Sequence, residues 1–251
     1  MNQLPTIEGL GRYGRMIADV CRDIRRKGVN LSDLSKQIVT IGNLSIPIVL
    51  LTAIFTGMVL AVQTAYGLQR FGAKLYVGNI VSLSLVRELG PVLSAIMLCG
   101  RVGAGIAAEL GSMAVTEQID AIRALGADPI RKLVTPRILA GLIVLPLLAV
   151  LADIVGILGG GAIAVFELGL SSHTYYRSVV NFVQIRDVMD GLIKAGVFGF
   201  ILTSIACYKG LTCKGGTEGV GQFTTSSVVT GSIVILISDF FITKLLILLT
   251  W

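Results

Sequence analysis

The sequence LVRELGPVLSA, residues 85–95, places Arg87 and Glu88 side by side within an apolar run from about Val77 to Cys99. Each charge costs about 2.5–3.5 kcal/mol at the centre of a lipid bilayer unless it is paired or hydrated. Neighbouring side chains on a helix point about 100° apart, so the two charges are poorly placed to pair with each other. We therefore expect at least one of them to meet another helix or water.

A Gly90–Pro91 pair follows these charges directly. Pro91 has no N–H to donate to the carbonyl of Arg87, which predicts a bend in the helix. Charge beside a bend indicates a polar cavity in the middle of the membrane. The alternative is a purely structural ion pair with Lys194 or Asp239 on another helix.

The whole chain is more apolar than a soluble protein. Of its 251 residues, 54% are hydrophobic and 14% are charged, whereas a soluble domain has about 45–50% and 25%. Long apolar runs recur at residues 41–66, 77–110, 138–166, 188–208 and 228–251. Because about 20 apolar residues suffice to cross a bilayer, these runs predict an all-α integral membrane protein with five transmembrane helices.

Lys and Arg are unevenly divided between the two sets of loops. With the N-terminus inside, 13 of them lie in inside segments and only four, at positions 70, 74, 177 and 186, lie in outside loops. The positive-inside rule then predicts a cytoplasmic N-terminus and, after five spans, an outside C-terminus with Trp251 in the interfacial aromatic belt. The same rule explains the net charge of +6, so nucleic acid is not an expected partner.

The sequence divides into an N-terminal region, 1–40, and a transmembrane domain, 41–251. Within the first region, apolar residues spaced by three and four mark one face of a helix: Leu10, Tyr13, Ile17, Val20 and Ile24. Lys and Arg residues surround this stripe, which predicts an amphipathic helix in the membrane interface. The alternative is a helix packed on a protein partner.

Small residues form two adjacent rows at the end of the second apolar run. One row is Gly100, Ala104 and Ala108; the other is Gly103, Ala107 and Gly111. Small residues let membrane helices approach closely, so this double row predicts a tight helix contact within a bundle or a dimer. The single pairs Gly57–Ala61 and Gly191–Ala195 are attributed to the general enrichment of small residues in membrane helices.

The segment 111–137 is the most polar connection between spans. Thr116 and Glu117 begin a helical pattern, which Gly126 can end before an Asp128–Pro129 turn. A short helix parallel to the membrane is predicted there, suited to docking a soluble partner. The chain has no GxxxxGK[ST] motif, and the glycines of 215–221 are interpreted as a flexible inside loop.

Residues 83–137 closely resemble the MlaE family, the permeases of MCE-associated ABC transporters, which move phospholipids or other lipids across the bacterial envelope. The similarity extends more loosely from about Ile41 to the C-terminus. It implies a homodimer in the bacterial inner membrane, with five spans, an interfacial N-terminal helix and a cytoplasmic coupling helix in each copy. The chain itself would carry no cofactor, since a separate soluble ATPase would bind ATP.

The resemblance also implies partners and site residues. A periplasmic hexamer of an MCE-domain protein would sit on the outer side, and a small cytoplasmic accessory subunit could join. Phospholipid would occupy a cavity between the two permeases, facing Arg87, Glu88, Leu60, Leu68 and Phe71. The coupling helix would carry Glu117, Gln118, Asp120 and Arg123. Asp153 is a departure from the family pattern.

Two other functions remain open on the residues alone. An ion-coupled secondary transporter could use the intramembrane charges as a relay and would work without ATP. A scaffold subunit could anchor a soluble complex through residues 111–137 and carry no substrate. An enzyme is unsupported, because HExxH, GxSxG and paired catalytic carboxylates beside a nucleophile are all missing from the sequence.

Overall fold

The computed structural model describes residues 7–250; the predicted interfacial position of Trp251 lies outside the described residues. Those residues form α-helices, π-helical and 3₁₀ turns, and no β-strand. The α-helices before the third span are α1 Ile7–Lys27, α2 Leu31–Asn43, α3 Ile46–Gln69, α4 Val77–Ser84, α5 Gly90–Leu98, α6 Ala104–Val115 and α7 Gln118–Ala124. The remaining ones are α8 Thr135–Phe166, α9 Ser172–Phe182, α10 Ile185–Leu211 and α11 Gly216–Thr250.

Five helical stretches of the described chain are long and apolar enough to cross a membrane. They are Leu31–Gln69, Lys74–Val115, Ile130–Phe166, Ile185–Leu211 and Gly216–Leu249. The five predicted spans and the all-α class are therefore confirmed. The first stretch is broken at Leu44–Ser45. Pro47 has no N–H and would leave a hydrogen bond unmade inside a continuous helix. In the first turn of α3, where Pro47 lies, the N–H has no partner within the helix, so its absence costs nothing there.

The second span is not one regular helix. Leu85–Leu89 and Cys99–Gly103 are π-helical, and a third π-helical segment, Ile130–Val134, precedes α8. Short π-helical insertions are rare and occur frequently at functional sites. One of them contains Arg87 and Glu88, and it ends at the residue before Gly90–Pro91.

The chain forms two units, each built from three stretches of sequence. The first unit consists of 1–41, 99–141 and 200–234, and the second of 42–98, 142–199 and 235–251. Both units interleave along the chain, so the boundary at residue 40 stays a prediction from the sequence.

In the first unit, α1 packs on the π-helical segment Ile130–Val134. The Tyr13 hydroxyl is 2.7 Å from Ser204 Oγ, and the Tyr208 hydroxyl donates to the Gly9 carbonyl at 3.0 Å. Burial raises the pKa of the Tyr13 phenol above its ordinary value. Val20 is buried and Leu10 is 60% exposed, so part of the apolar stripe contacts this chain itself. The interfacial role of α1 remains a prediction.

In the second unit, the helices cross at glycines. A Cβ on Gly57 of α3 would collide with the carbonyl oxygen of Gly156 on α8. Only a missing side chain lets two backbones approach this closely. The pair Gly57–Ala61, attributed above to composition, is therefore a specific contact. Below the outer helix α9, Tyr175 closes a cluster of buried residues and donates to the carbonyl of Ile157 at 3.2 Å.

One loop prediction is wrong. Residues 216–221 belong to α11, which begins at Gly216. Gly215 and Gly216 have φ values of +93° and +66°, and a Cβ on Gly219 would strike the Lys214 carbonyl. These glycines therefore allow the tight turn with which α11 begins. The glycine-rich composition of this segment was the reason for predicting a flexible loop.

Candidate functional site

The π-helical turn Leu85–Leu89 changes which backbone carbonyls have partners. Gly90 N–H bonds to the carbonyl of Leu85, one residue further back than in an α-helix. An α-helix would bond the Arg87 carbonyl to the N–H of residue 91, but residue 91 is a proline. Lys194 on α10 takes over this carbonyl, with Nζ at 3.1 Å from the oxygen. The feature that predicted a bend thus creates an acceptor for a neighbouring helix.

Lys194 is the centre of a polar cluster in the second unit. Its side chain is only 2% exposed, and Nζ donates to Glu88 Oε2 at 2.6 Å and to Thr243 Oγ1 at 2.6 Å, besides the Arg87 carbonyl. These three acceptors match the three protons of an ammonium group. Asp239 Oδ1 lies 3.2 Å from Nζ and adds a second negative charge without a hydrogen bond. We call Glu88, Lys194, Asp239 and Thr243 the Lys194 cluster.

Arg87 points to a different partner. Its Nε donates to Asp187 Oδ1 at 2.7 Å, and the other oxygen of Asp187 accepts the Gln184 N–H at 2.8 Å, just before α10 begins. The Arg87 side chain is 39% exposed, whereas Asp187 is 7% exposed. The bond to Nε fixes the base of the guanidinium. The expectation that at least one of Arg87 and Glu88 meets another helix is correct for both. The ion pair with Lys194, named above as the alternative to a cavity, is present for Glu88.

Close backbone packing brings α10 to this turn. A Cβ on Gly191 would collide with the carbonyl oxygen of Val86. Gly191 therefore allows α10 to approach near enough for Lys194, three residues further on, to reach the turn. The pair Gly191–Ala195 is a specific contact, contrary to the composition-based interpretation.

Asp153 lies against the same turn from α8. One of its carboxylate oxygens, Oδ1, is buried without a hydrogen-bond partner in the described residues, and a Cβ on Gly90 would collide with it. A small cavity beside Gly90 is lined mainly by apolar side chains and by Ser94, whose buried hydroxyl is also unpartnered. The residue that departs from the family pattern thus lies next to the charged pair.

The three apolar candidates have different surroundings. Leu60 and Leu68 on α3 are partly buried and pack on the cluster below α9. Phe71, just after α3, is 82% exposed. The structure brings Leu60 and Leu68 into one packed region and leaves Phe71 outside it; contact of any of them with acyl chains stays a prediction.

In the first unit, the predicted short helix is present as α7. Glu117, at its N-cap position, has φ +57°, and Gly126 after its end has φ +76°. Ile119 is buried and holds the helix to the protein, whereas Leu125, directly after the last residue of α7, is 86% exposed. The candidates Glu117, Gln118, Asp120 and Arg123 are all exposed. Asp120 and Arg123 pair at 2.8 Å on this surface.

An ion pair lies at the base of the segment that carries α7. Arg137, in the first turn of α8, is 3% exposed, and its Nη2 is 2.7 Å from Oε1 of Glu109 on α6. Sequence reasoning assigned Arg137 to the inside loop and missed this burial. Arg137 directly precedes an apolar run of 29 residues, 138–166, and this position could have indicated that its side chain is buried.

The two rows of small residues behave differently. Gly103, Ala107 and Gly111 are buried, and Gly210 of α10 packs directly on Ala107 and Leu110. Gly100 is exposed with open space at its Cβ position. Ala104 and Ala108 are half-buried. Only one row therefore makes a tight contact within the first unit.

The sequence was compared with protein families and with known proteins, and the matches cover most of the chain. A family model described as Permease MlaE matches residues 34–245. A probable ABC transporter permease protein of Rickettsia bellii is 44% identical over 238 residues, which cover 95% of this chain and 92% of that protein. The intermembrane phospholipid transport system permease protein MlaE of Haemophilus influenzae is 38% identical over 94% of this chain and 91% of its own. The chloroplastic protein trigalactosyldiacylglycerol 1 of Arabidopsis thaliana is 38% identical over 82% of this chain and 59% of its own.

Proposed function

This chain belongs to the MlaE permease family, and from that premise we propose that it is the membrane subunit of an ABC transporter that moves phospholipid. The single observation that carries the proposal is the charged π-helical turn in the second span. Arg87 and Glu88 are each 39% exposed there, within a stretch that is otherwise apolar. A phospholipid presents the same combination, a charged headgroup attached to apolar chains.

The geometry suggests separate roles for the two charges. Arg87 is held at Nε by a buried carboxylate, which leaves the tip of the guanidinium to bind phosphate oxygens in the bidentate manner that suits this group. Glu88 is held by the buried Lys194. Glu88 therefore stabilises the π-helical turn through Lys194, and its side chain can change partner when a headgroup binds.

Energy would come from a separate ATPase, since the sequence has no P-loop. We propose that this subunit docks on α7. The helix exposes four polar residues together with Leu125, 86% exposed, which is the combination of an apolar anchor and a polar rim found at docking surfaces. This assignment requires the cytoplasmic N-terminus that the distribution of Lys and Arg predicts.

A second copy of the chain would complete the site. Only 6% of the most apolar window of α11 is buried, against 28–61% for the other four spans. The same helix carries exposed polar residues on one side, among them Gln222 and Thr225. Polar side chains in lipid favour contact with another helix, which supports a homodimer through this span. In the bacterial inner membrane, lipid would then pass between this chain and a periplasmic MCE-domain hexamer, and a small accessory subunit could bind on the cytoplasmic side.

The test uses the complex purified with its native partners in mild detergent and reconstituted into lipid vesicles. We expect copurification of a P-loop ATPase, an MCE-domain protein and phospholipid, and ATP-dependent transfer of a fluorescent phospholipid. Arg87→Gln should lower transfer while the complex stays assembled. Arg177→Gln, which removes an exposed positive charge from α9, is the matched control. Full transfer by both Arg87→Gln and Glu88→Gln would refute the role of the turn.

The Lys194 cluster supports one other function. Two carboxylates around a buried ammonium, with Asp153 unpartnered nearby, could act as an ion relay in a secondary transporter. Such a protein would need no ATPase. Transport that continues without ATP and stops with an uncoupler would favour it over the ABC permease.

A further inference from the structure

Arg137 is a buried cation with incomplete hydrogen bonding. Its Nη2 binds Glu109, but Nε and Nη1 are buried without a hydrogen-bond partner among residues 7–250. Buried guanidinium nitrogens are normally all satisfied, because each unpaired donor loses its bonds to water and gains nothing in return. Arg137 could therefore form additional hydrogen bonds in a different conformation of the protein.

The partner of Arg137 is much more accessible. The Glu109 side chain is 60% exposed, against 3% for Arg137. The carboxylate can therefore be hydrated if the pair opens, whereas the guanidinium cannot without movement of the helices around it. The pair is asymmetric, with a fixed cation and an exchangeable anion.

The two residues lie on either side of the segment that carries α7. Glu109 is on α6, which leads into α7, and Arg137 is in the first turn of α8, which follows it. Between them, α7 ends at Ala124, Gly126 follows with a positive φ, and the Asp128 carboxylate accepts the Ile130 N–H at 2.9 Å where the π-helical segment starts. The ion pair thus closes a loop of chain at its base.

Neighbouring contacts hold the same base. Gly210 of α10 packs on Ala107 and Leu110 of α6, and α1 packs on Ile130–Val134. A displacement of α7 therefore also displaces α6 and the start of α8, because the ion pair joins the two ends of the segment that carries α7.

We propose that the Arg137–Glu109 pair is a positioning clamp that makes α6 and the start of α8 move together when a partner ATPase displaces α7. The inference rests on the proposed function and adds the element that couples ATP hydrolysis to lipid movement. Neither residue touches the lipid. Loss of the pair lets α7 move without carrying both spans, so ATP is hydrolysed with little transport.

The test compares lipid transferred per ATP hydrolysed in the reconstituted full complex. Glu109→Gln and Arg137→Gln should assemble and hydrolyse ATP, with a fall in this ratio of about tenfold, a size that single residues reach when they modulate the coupling between two sites. The exchanged pair Glu109→Arg with Arg137→Glu should recover part of the ratio. Arg131→Gln, an exposed change on the neighbouring π-helical segment, should leave it unchanged.

The outcomes separate the two proposals. If the wild-type complex shows no ATP-driven lipid transfer, the proposed function fails and the clamp fails with it. If the wild type transports and Glu109→Gln keeps the wild-type ratio, the clamp alone is refuted. Glu109→Gln remains a test even where Arg137→Gln does not fold, because glutamine has nearly the same shape and keeps an acceptor oxygen for Arg137 Nη2 while it removes the charge.

Discussion

Replacing Lys194 by methionine tests whether the cluster around it is held together by charge. Methionine keeps the length and apolar stem of lysine and removes the ammonium. Glu88 and Asp239 would lose the cation at 2.6 and 3.2 Å, and the Arg87 carbonyl would lose its donor. The two carboxylates would then face each other without compensation.

The magnitude follows from how far water can replace the ammonium. Removing one partner of a fully buried ion pair costs about 3–5 kcal/mol. Glu88 is 39% exposed and Asp239 22%, so water restores part of the loss. We therefore expect about 2–3 kcal/mol of destabilisation. For a chain of this size that corresponds to a fall in Tm of about 4–12 °C.

The assay is thermal unfolding of the purified protein in detergent. After heating to each temperature, size-exclusion chromatography measures the fraction that still elutes as folded protein. Lys244→Met, the same substitution at an exposed position of α11, is the control and should change Tm by less than about 2 °C. Adding Glu88→Gln to Lys194→Met should recover stability, because one uncompensated charge is removed. Equal Tm values for Lys194→Met and Lys244→Met would show that the cluster contributes no net stability.

Three further predictions concern packing and docking. Gly191→Ala should destabilise the protein by about 1–3 kcal/mol, since its Cβ meets a backbone carbonyl, whereas Gly196→Ala, with its nearest neighbour at 3.9 Å, should be close to neutral in the same unfolding assay. Gly90→Ala should lower Tm because it collides with Asp153, and Asp153→Ala should partly restore it; additive losses would refute this contact. Leu125→Ser should weaken copurification of the ATPase about tenfold or more without changing Tm, as for loss of an interface anchor, and unchanged recovery would exclude α7 as the docking helix.

The number and type of spans could be predicted because lipid imposes a simple rule. A segment inside the bilayer must satisfy its own backbone and carry few charges, so runs of apolar residues mark spans directly. The same rule drew attention to Arg87 and Glu88. It could not identify Asp187 as a partner, because the fourth apolar run begins at Val188 and that residue lies one position outside it.

Glycine was harder to interpret than charge. Gly57 and Gly191 each lie directly against the backbone of another helical segment, yet their spacing with one alanine is common in membrane helices. Gly100 belongs to a more regular pattern, yet a Cβ at this position would meet no neighbouring helix of the described residues within 4 Å. A small residue reports only that close approach is allowed. Whether another helix uses that space depends on how the helices cross, which the sequence pattern does not contain.

Both units contain the same arrangement of charge. Lys194 and Arg137 are 2% and 3% exposed, and each pairs with a carboxylate that is far more accessible, Glu88 at 39% and Glu109 at 60%. A buried cation cannot leave its site without movement of the surrounding helices, since its dehydration must be compensated there. An accessible carboxylate can exchange its partner for water, a headgroup or another side chain at much lower cost. The carboxylate is therefore the member of each pair that can change its partner during transport. Neutralising Glu88 leaves Asp239 as a counter-charge for Lys194 and should lower transport more than Tm, whereas neutralising Glu109 leaves Arg137 buried without this ionic partner and should lower both. Unchanged transport in both variants would mean that these pairs serve structure alone.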